Sequence, residues 1–139
     1  MAKLGSRGSF SFGEYVEKIS SAKTLSPNDS GKLFTIDSSS AAFSITLPAA
    51  ADAGAGWCCK FILTTTGNIV TIEPPSTEDT LIGMITVITD DVGETSESGV
   101  DELKFLAGAA AGDNCELFCD GSNYYVNGTA HANDHMSIA

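Results

Sequence analysis

Three observations predict an all-β fold. Apolar Val, Ile, Phe and Leu residues come in short runs that alternate with polar ones, clusters of Gly, Ser, Asn and Pro separate those runs, and no long stretch repeats at helical spacing. The expected architecture is an antiparallel β-sandwich or barrel-like domain with an extended N-terminal arm. A chain of 139 residues, 42% hydrophobic, makes one domain able to bury roughly two-thirds of its unfolded surface. The expected boundaries are an arm and lead-in strand over 1–23, a β-domain over 24–128 and a polar tail over 129–139.

Residues 1–12 are rich in Gly and Ser and show no steady period. Two rings, Phe10 and Phe12, on such a backbone suit an arm that orders as it docks on a partner, with Lys3 and Arg7 adding positive charge; the alternative is that the rings pack back on the chain's own domain. Tyr15 to Ile19 reads as a short first strand, and Ser26 to Gly31 as a dense turn cluster. Leu33–Asp37 and Phe43–Leu47 alternate as half-buried strands, and Pro48, which lacks an N–H, ends the second or puts it on an edge. Ala49 to Gly56 is either a loop or a single helical turn.

Trp57 to Thr66 is the longest strand candidate. Trp57, Cys59, Phe61 and Leu63 form its core face, while Cys58, Lys60, Ile62 and Thr64 make a mixed second face that suits a strand near an edge or one meeting another subunit. Gly67-Asn68 reads as the turn of a hairpin with Ile69–Glu73. Leu81–Thr89 is apolar at almost every position and is expected to be buried on both faces. Asp90–Glu102 reads as an exposed acidic loop, Leu103–Leu106 as a short strand and 107–112 as a small-residue connector.

The clearest hairpin spans Asp113 to Gly128. Cys115, Leu117 and Cys119 alternate with Glu116, Phe118 and Asp120, Asp120-Gly121-Ser122-Asn123 has the residue types of a tight reversal, and Tyr124-Tyr125-Val126 returns.

Charge and chemistry narrow the function. A net charge of −11 argues against nucleic acid, whose affinity rests on Lys and Arg neutralising phosphates. The charge is uneven: four of the seven basic residues lie in the first 23 positions, whereas Glu73 to Glu102 holds nine carboxylates and no Lys or Arg. No stretch reaches the roughly 20 apolar residues of a membrane span, and the start lacks a signal-peptide core, which predicts a soluble protein made in a cytoplasm. Cys115 and Cys119 lie four apart on one strand, about 13 Å, and Cys58 and Cys59 point to opposite faces, so reduced core thiols are expected, with a Cys59–Cys115 cross-strand pair left open.

His131 and His135 with Asp134 offer zinc ligands only if that segment is helical, and an exposed tail is expected instead. Glu94, Glu97, Asp101 and Glu102 lack the spacing and turn glycine of a calcium loop. There is no nucleophile elbow, and Gly5-Ser6-Arg7-Gly8-Ser9 lacks the ending of a phosphate loop, so neither an enzyme nor a cofactor is expected. Trp57, Tyr124 and Tyr125 have the chemistry to stack on sugars, although such rings in β-domains more often fill the core.

Three segments, in order, resemble the capsid decoration (cement) proteins and related fibre-borne β-modules of tailed bacteriophages. They are Ser30 to Asp37, Phe43 to Pro48 followed by Trp57 to Thr66, and Glu116 to Gly128 with its Asp-Gly-Ser-Asn turn and Tyr-Tyr-Val strand, all within residues 24–128. The resemblance implies a homotrimer coating the exterior of a virion, bound to the major capsid protein, assembled in the host bacterial cytoplasm and without catalytic residues. The four cysteines and the acidic 90–102 segment depart from that pattern, and the arm lies outside it. The partner-binding residues expected from the arm are Lys3, Arg7, Phe10 and Phe12. The alternatives are a trimeric tail-fibre or receptor-binding, carbohydrate-binding module, against which the lack of a stalk speaks, and a lectin-like host domain.

Overall fold

Strands that follow one another along the chain mostly lie in different sheets. The computed structural model describes residues 15–76, 80–89, 94–95 and 101–139. In chain order the strands are β1 (Val16–Ile19), β2 (Lys23–Thr24), β3 (Leu33–Asp37), β4 (Phe43–Thr46), β5 (Ala55–Thr65), β6 (Val70–Glu73), β7 (Leu81–Val87), β8 (Glu94–Thr95), β9 (Leu103–Phe105), β10 (Asn114–Asp120), β11 (Tyr124–Ala130) and β12 (Met136–Ile138). One helical turn, α1 (Ala50–Ala53), precedes β5. The first sheet runs β1-β3-β5-β10-β11-β7-β8 and the second β12-β9-β6-β4-β2.

From β1 to β6 the chain winds as a flattened coil. β1, β3 and β5 pair in parallel in the first sheet, and β2, β4 and β6 pair in parallel in the second. Each turn buries alternate residues against the opposite sheet: Phe34, Ile36, Phe61 and Leu63 from one side meet Ile45, Val70, Ile72, Leu103 and Phe105 from the other in a single core. The rings of Phe34 and Phe61, aligned across β3 and β5, stack with centroids 5.3 Å apart. The β10–β11 hairpin then adds antiparallel to β5, and β7 lies parallel to β11.

This arrangement corrects several expectations. The sheets are mixed and not antiparallel. The Gly67-Asn68 turn does not close a hairpin: the Asn68 side chain donates to the Ser38 carbonyl at 2.7 Å, fixing a link that carries the chain from β5 to β6 across the sandwich. β5 is the third of seven strands, away from either edge, and only its second face is open. β7 is buried on one face only, with Met84 half-exposed and Ile88 just beyond it two-thirds exposed.

The end of the chain is not an exposed tail. β11 continues to Ala130, and β12 pairs with β9, placing Met136 in the core. The sequence between Gly128 and Met136 is polar, but the His131 backbone N–H and the His135 ring both meet Asp113, and the His131 carbonyl accepts from the Thr89 hydroxyl.

Gly83 of β7 faces Val126 of β11, where a Cβ would lie 2.0 Å from the Val126 carbonyl oxygen. No other residue fits that approach. Gly121 takes φ +94° in the Asp120–Asn123 reversal, which Asp120 closes by accepting from the backbone N–H groups of Ser122 and Asn123 at 2.8 and 2.7 Å.

Candidate docking surface

Among the described residues, the outer face of the first sheet carries a group of exposed and half-buried apolar side chains whose positions the strand register aligns. Cys58 of β5 is opposite Phe118 of β10, Phe118 is opposite Tyr125 of β11, and Tyr125 is opposite Ile82 of β7. Directly opposed residues point to the same side of a sheet, so these four side chains form one row across four strands. Phe118 is 48% exposed and Tyr125 40%, and Cys58 and Ile82 are half-buried. Alternation makes this unavoidable, because the residues that put Cys59, Leu117, Cys119, Tyr124 and Val126 in the core turn this set outward.

Polar groups border the row. Lys60 and Glu116 pair at 3.1 Å on the neighbouring strand positions, an exposed contact of small energetic worth. The Tyr125 hydroxyl donates to Asp120 Oδ2 at 2.8 Å; the carboxylate beside it raises the phenol's pKa, and the Asn123 and Ser122 N–H groups together with that phenol hold Asp120 low. A shallow groove of about 330 Å³, with Gly31, Leu33, Cys58, Lys60, Glu116 and Phe118 in its lining, runs from the mouth of β3 to the row. Further along the same face Lys18 meets Asp37 at 2.8 Å; that ammonium, with the Ser39 hydroxyl and N–H, brings the Asp37 carboxyl down to about 2.

The chain enters the described structure at the end of the sheet that bears the row. Tyr15 accepts from the Leu33 N–H at 2.6 Å, and its ring lies beside Gly31, whose own N–H donates to the Cys58 carbonyl at 2.7 Å. The expected arm residues Lys3, Arg7, Phe10 and Phe12 lie outside the described residues.

The other sequence candidates resolve differently. Trp57 and Tyr124 are core, with rings edge-on at 5.8 Å, Trp57 Nε1 donating to Ser26 and the Tyr124 hydroxyl to the Pro48 carbonyl at 2.5 Å; of the three rings considered for sugars only Tyr125 faces outward. All four cysteines are reduced thiols: Cys59 is opposite Leu117 and Cys115 opposite Phe61, and burial, the largest cause, pushes both thiols up.

His131 and His135 are neither on a helix face nor a strand length apart, since a turn brings their rings to 5.8 Å. His135 is buried against Asp113, and no group of three or more His, Cys, Asp or Glu among the described residues is placed to hold a metal. A second depression, about 410 Å³, lies beside them with Ile88, Asp113 and His131 in its wall.

Sequence reasoning named the outer face of β5 as a possible contact but missed the row, because a row belongs to four strands whose order is set by the crossovers. No family model, curated protein or solved structure matches the chain.

Proposed function

We propose that the protein is a structural component of a phage virion, a trimeric decoration protein that binds the outer surface of the shell formed by the major capsid protein and stabilises it. One observation carries the reading. The segments that resemble such proteins are separated by tens of residues in the chain, yet those that form β3, β5, β10 and β11 are consecutive neighbours in the first sheet, while Phe43–Thr46 forms β4 of the facing sheet. A likeness gathered in one two-sheet domain is what a shared module would produce.

The physics suits the role. The N-terminal arm supplies Phe10 and Phe12 for apolar contact and Lys3 and Arg7 for an acidic patch on the coat protein, and burying one Phe contributes roughly 1.5–3 kcal/mol. A single arm binds weakly. Three arms on one trimer engage neighbouring coat subunits together, and the linked contacts hold far longer than any one of them.

Two measurements test this. Light scattering on the recombinant protein is expected to give a trimer; a monomer at micromolar concentration counts against it. Deleting residues 1–12 is expected to leave a folded trimer that no longer sediments with shells, and undiminished sedimentation would move the anchor onto the β-domain.

A further inference from the structure

We infer that the outer face of the first sheet is where copies of this chain meet, with the Phe118 and Tyr125 side chains of one copy seated in the groove beside Cys58 of the next. The number of copies, three, rests on the decoration-protein reading above; the choice of surface does not.

The first observation is how unevenly exposed apolar side chains are spread. Val16, Met84, Phe118 and Tyr125 are each at least 40% exposed, and alternation turns all four to this one face. The outer face of the second sheet is the opposite case. Its aligned positions, Ser44 of β4, Thr71 of β6, Lys104 of β9 and Ser137 of β12, are polar. Both faces meet the same solvent, so apolar side chains gathered on only one of them mark a contact surface.

The second is shape. Phe118 and Tyr125, opposite one another on β10 and β11, stand up as a ridge. Beside it the groove of about 330 Å³ lies over β5, between Leu33 of β3 and Phe118 of β10. Gly31 has no side chain to fill the end of the groove, and Leu33 and Cys58 make its wall partly apolar. The ridge cannot enter the groove on its own sheet, because both face the same way, but it can enter that of another copy. A projection and a recess side by side on one face are thus complementary between copies, and a head-to-tail contact of that kind closes into a ring.

The third is charge. At net −11 the chain repels its own copies, so a face on which they touch must be locally balanced. On this face Lys60 pairs with Glu116 at 3.1 Å and Lys18 with Asp37 at 2.8 Å, and the Asp120 carboxylate accepts from the Tyr125 hydroxyl. A strongly charged partner would find no large excess of either sign here. A second copy instead brings its own Glu116, next to its ridge, toward this Lys60, and the pairs can be exchanged between copies.

Light scattering, circular dichroism and the rate at which Cys58 reacts with a chromogenic disulfide reagent would be compared in the full chain, in Phe118→Lys, in Tyr125→Lys and in Thr71→Lys, a control on the second sheet; Cys59, Cys115 and Cys119 are buried and do not interfere. The full chain and the control are expected to be trimers. Each ridge variant is expected to be a folded monomer, because it places a charge in the middle of the contact, and one remains for the test should the other fail to fold. Cys58 in the trimer should react roughly tenfold more slowly than in those monomers, as for a thiol covered about nine-tenths of the time. A dimer that the same variants split would keep this surface and overturn the threefold reading. Trimers that both ridge variants leave whole, or that Thr71→Lys splits as readily, would overturn the inference and leave the threefold reading standing. A monomeric full chain would overturn both.

Discussion

His135 Nδ1 lies 2.8 Å from Asp113 Oδ2, and this contact ties the last turn of the chain to the strand that opens the central hairpin. Asp113 is almost wholly buried and also accepts from the backbone N–H groups of Ala110 and His131, each at 2.8 Å. One carboxylate therefore satisfies donors from the 107–112 connector and from both ends of the 131–135 turn. Asp113→Ala removes the acceptor from two part-buried backbone donors and from the buried His135 ring. It is expected to lower stability by on the order of 3 kcal/mol in urea unfolding, with faster hydrogen exchange at β9 and β12 than elsewhere. Uniform exchange across the domain would show that the contact does not hold β12 in particular.

Gly83→Ala should be among the most damaging single-atom additions available. The added methyl would meet backbone on β11 and not a side chain that can swing aside, so β7 and β11 must part. The expected loss is about 1–3 kcal/mol or more, read as a lower melting temperature, whereas Gly112→Ala, where nothing lies within 4 Å, should be limited to the penalty of its positive φ. Equal effects at the two sites would mean that β7 is held less closely than the register implies.

All four cysteines are expected to titrate with a thiol reagent in denaturant without reductant, for protein prepared from a reducing cytoplasm. Under native conditions Cys59 and Cys115 should stay silent, since burial raises their thiol pKa and keeps reagent out. Only two reactive thiols after denaturation would reveal a disulfide.

The cluster joining β1, β2 and β3 gives a pH profile. Glu17 pairs with Lys23 and, at 3.1 Å, with Lys32; Lys32 also meets Asp29 at 2.8 Å, and Asp29 accepts from the Ser26 N–H. The Lys23 ammonium, first among its partners, holds Glu17 below the usual carboxylate range. Burial alone would raise Asp29, but Lys32 and the Ser26 N–H outweigh it and lower that group too. Asp29 and Glu17 in turn raise Lys32.

A carboxylate whose folded pKa is depressed adds stability that is present above its unfolded pKa of about 4 and disappears as pH falls through the folded value. The raised Lys32 adds stability that is full below about 10.4 and disappears as pH rises through its folded pKa. The urea midpoint should therefore be flat from about pH 5 to pH 8, fall below that range with the carboxylates, and fall above about pH 8.5 as the Cys59 and Cys115 thiols ionise in the unfolded chain, with Lys32 adding to the alkaline limb beyond about pH 10. Lys32→Met should lower it at pH 7 and weaken the dependence on both limbs; an unchanged acid limb would rule out this cluster as its source.

Strand identity was legible wherever alternation was strong. The β5 core face, the β10–β11 hairpin with its turn, and the Leu33 and Phe43 strands all occur where period-two patterning placed them. Partner choice was not legible. Gly67-Asn68 has the composition of a hairpin turn, but whether two alternating strands pair or separate into facing sheets depends on what else their buried residues meet, here Phe105 beside Val70 and Leu103 beside Ile72. The end of the chain was misread for a similar reason: Asp113 supplies partners to a polar segment from 18 and 22 residues away, and no local pattern announces that.

The coiled winding of β1 to β6 has a kinetic consequence. Parallel neighbours two strands apart in sequence cannot zip from a tight turn, so each rung must close a loop before any pairing rewards it. The β10–β11 hairpin is free of that handicap, and β5 adds directly to it. Folding should begin there, with the rungs joining afterwards in order of distance from β5. Weakening the reversal by Gly121→Val should then slow refolding, while truncating Ile45 in the second sheet should mainly speed unfolding.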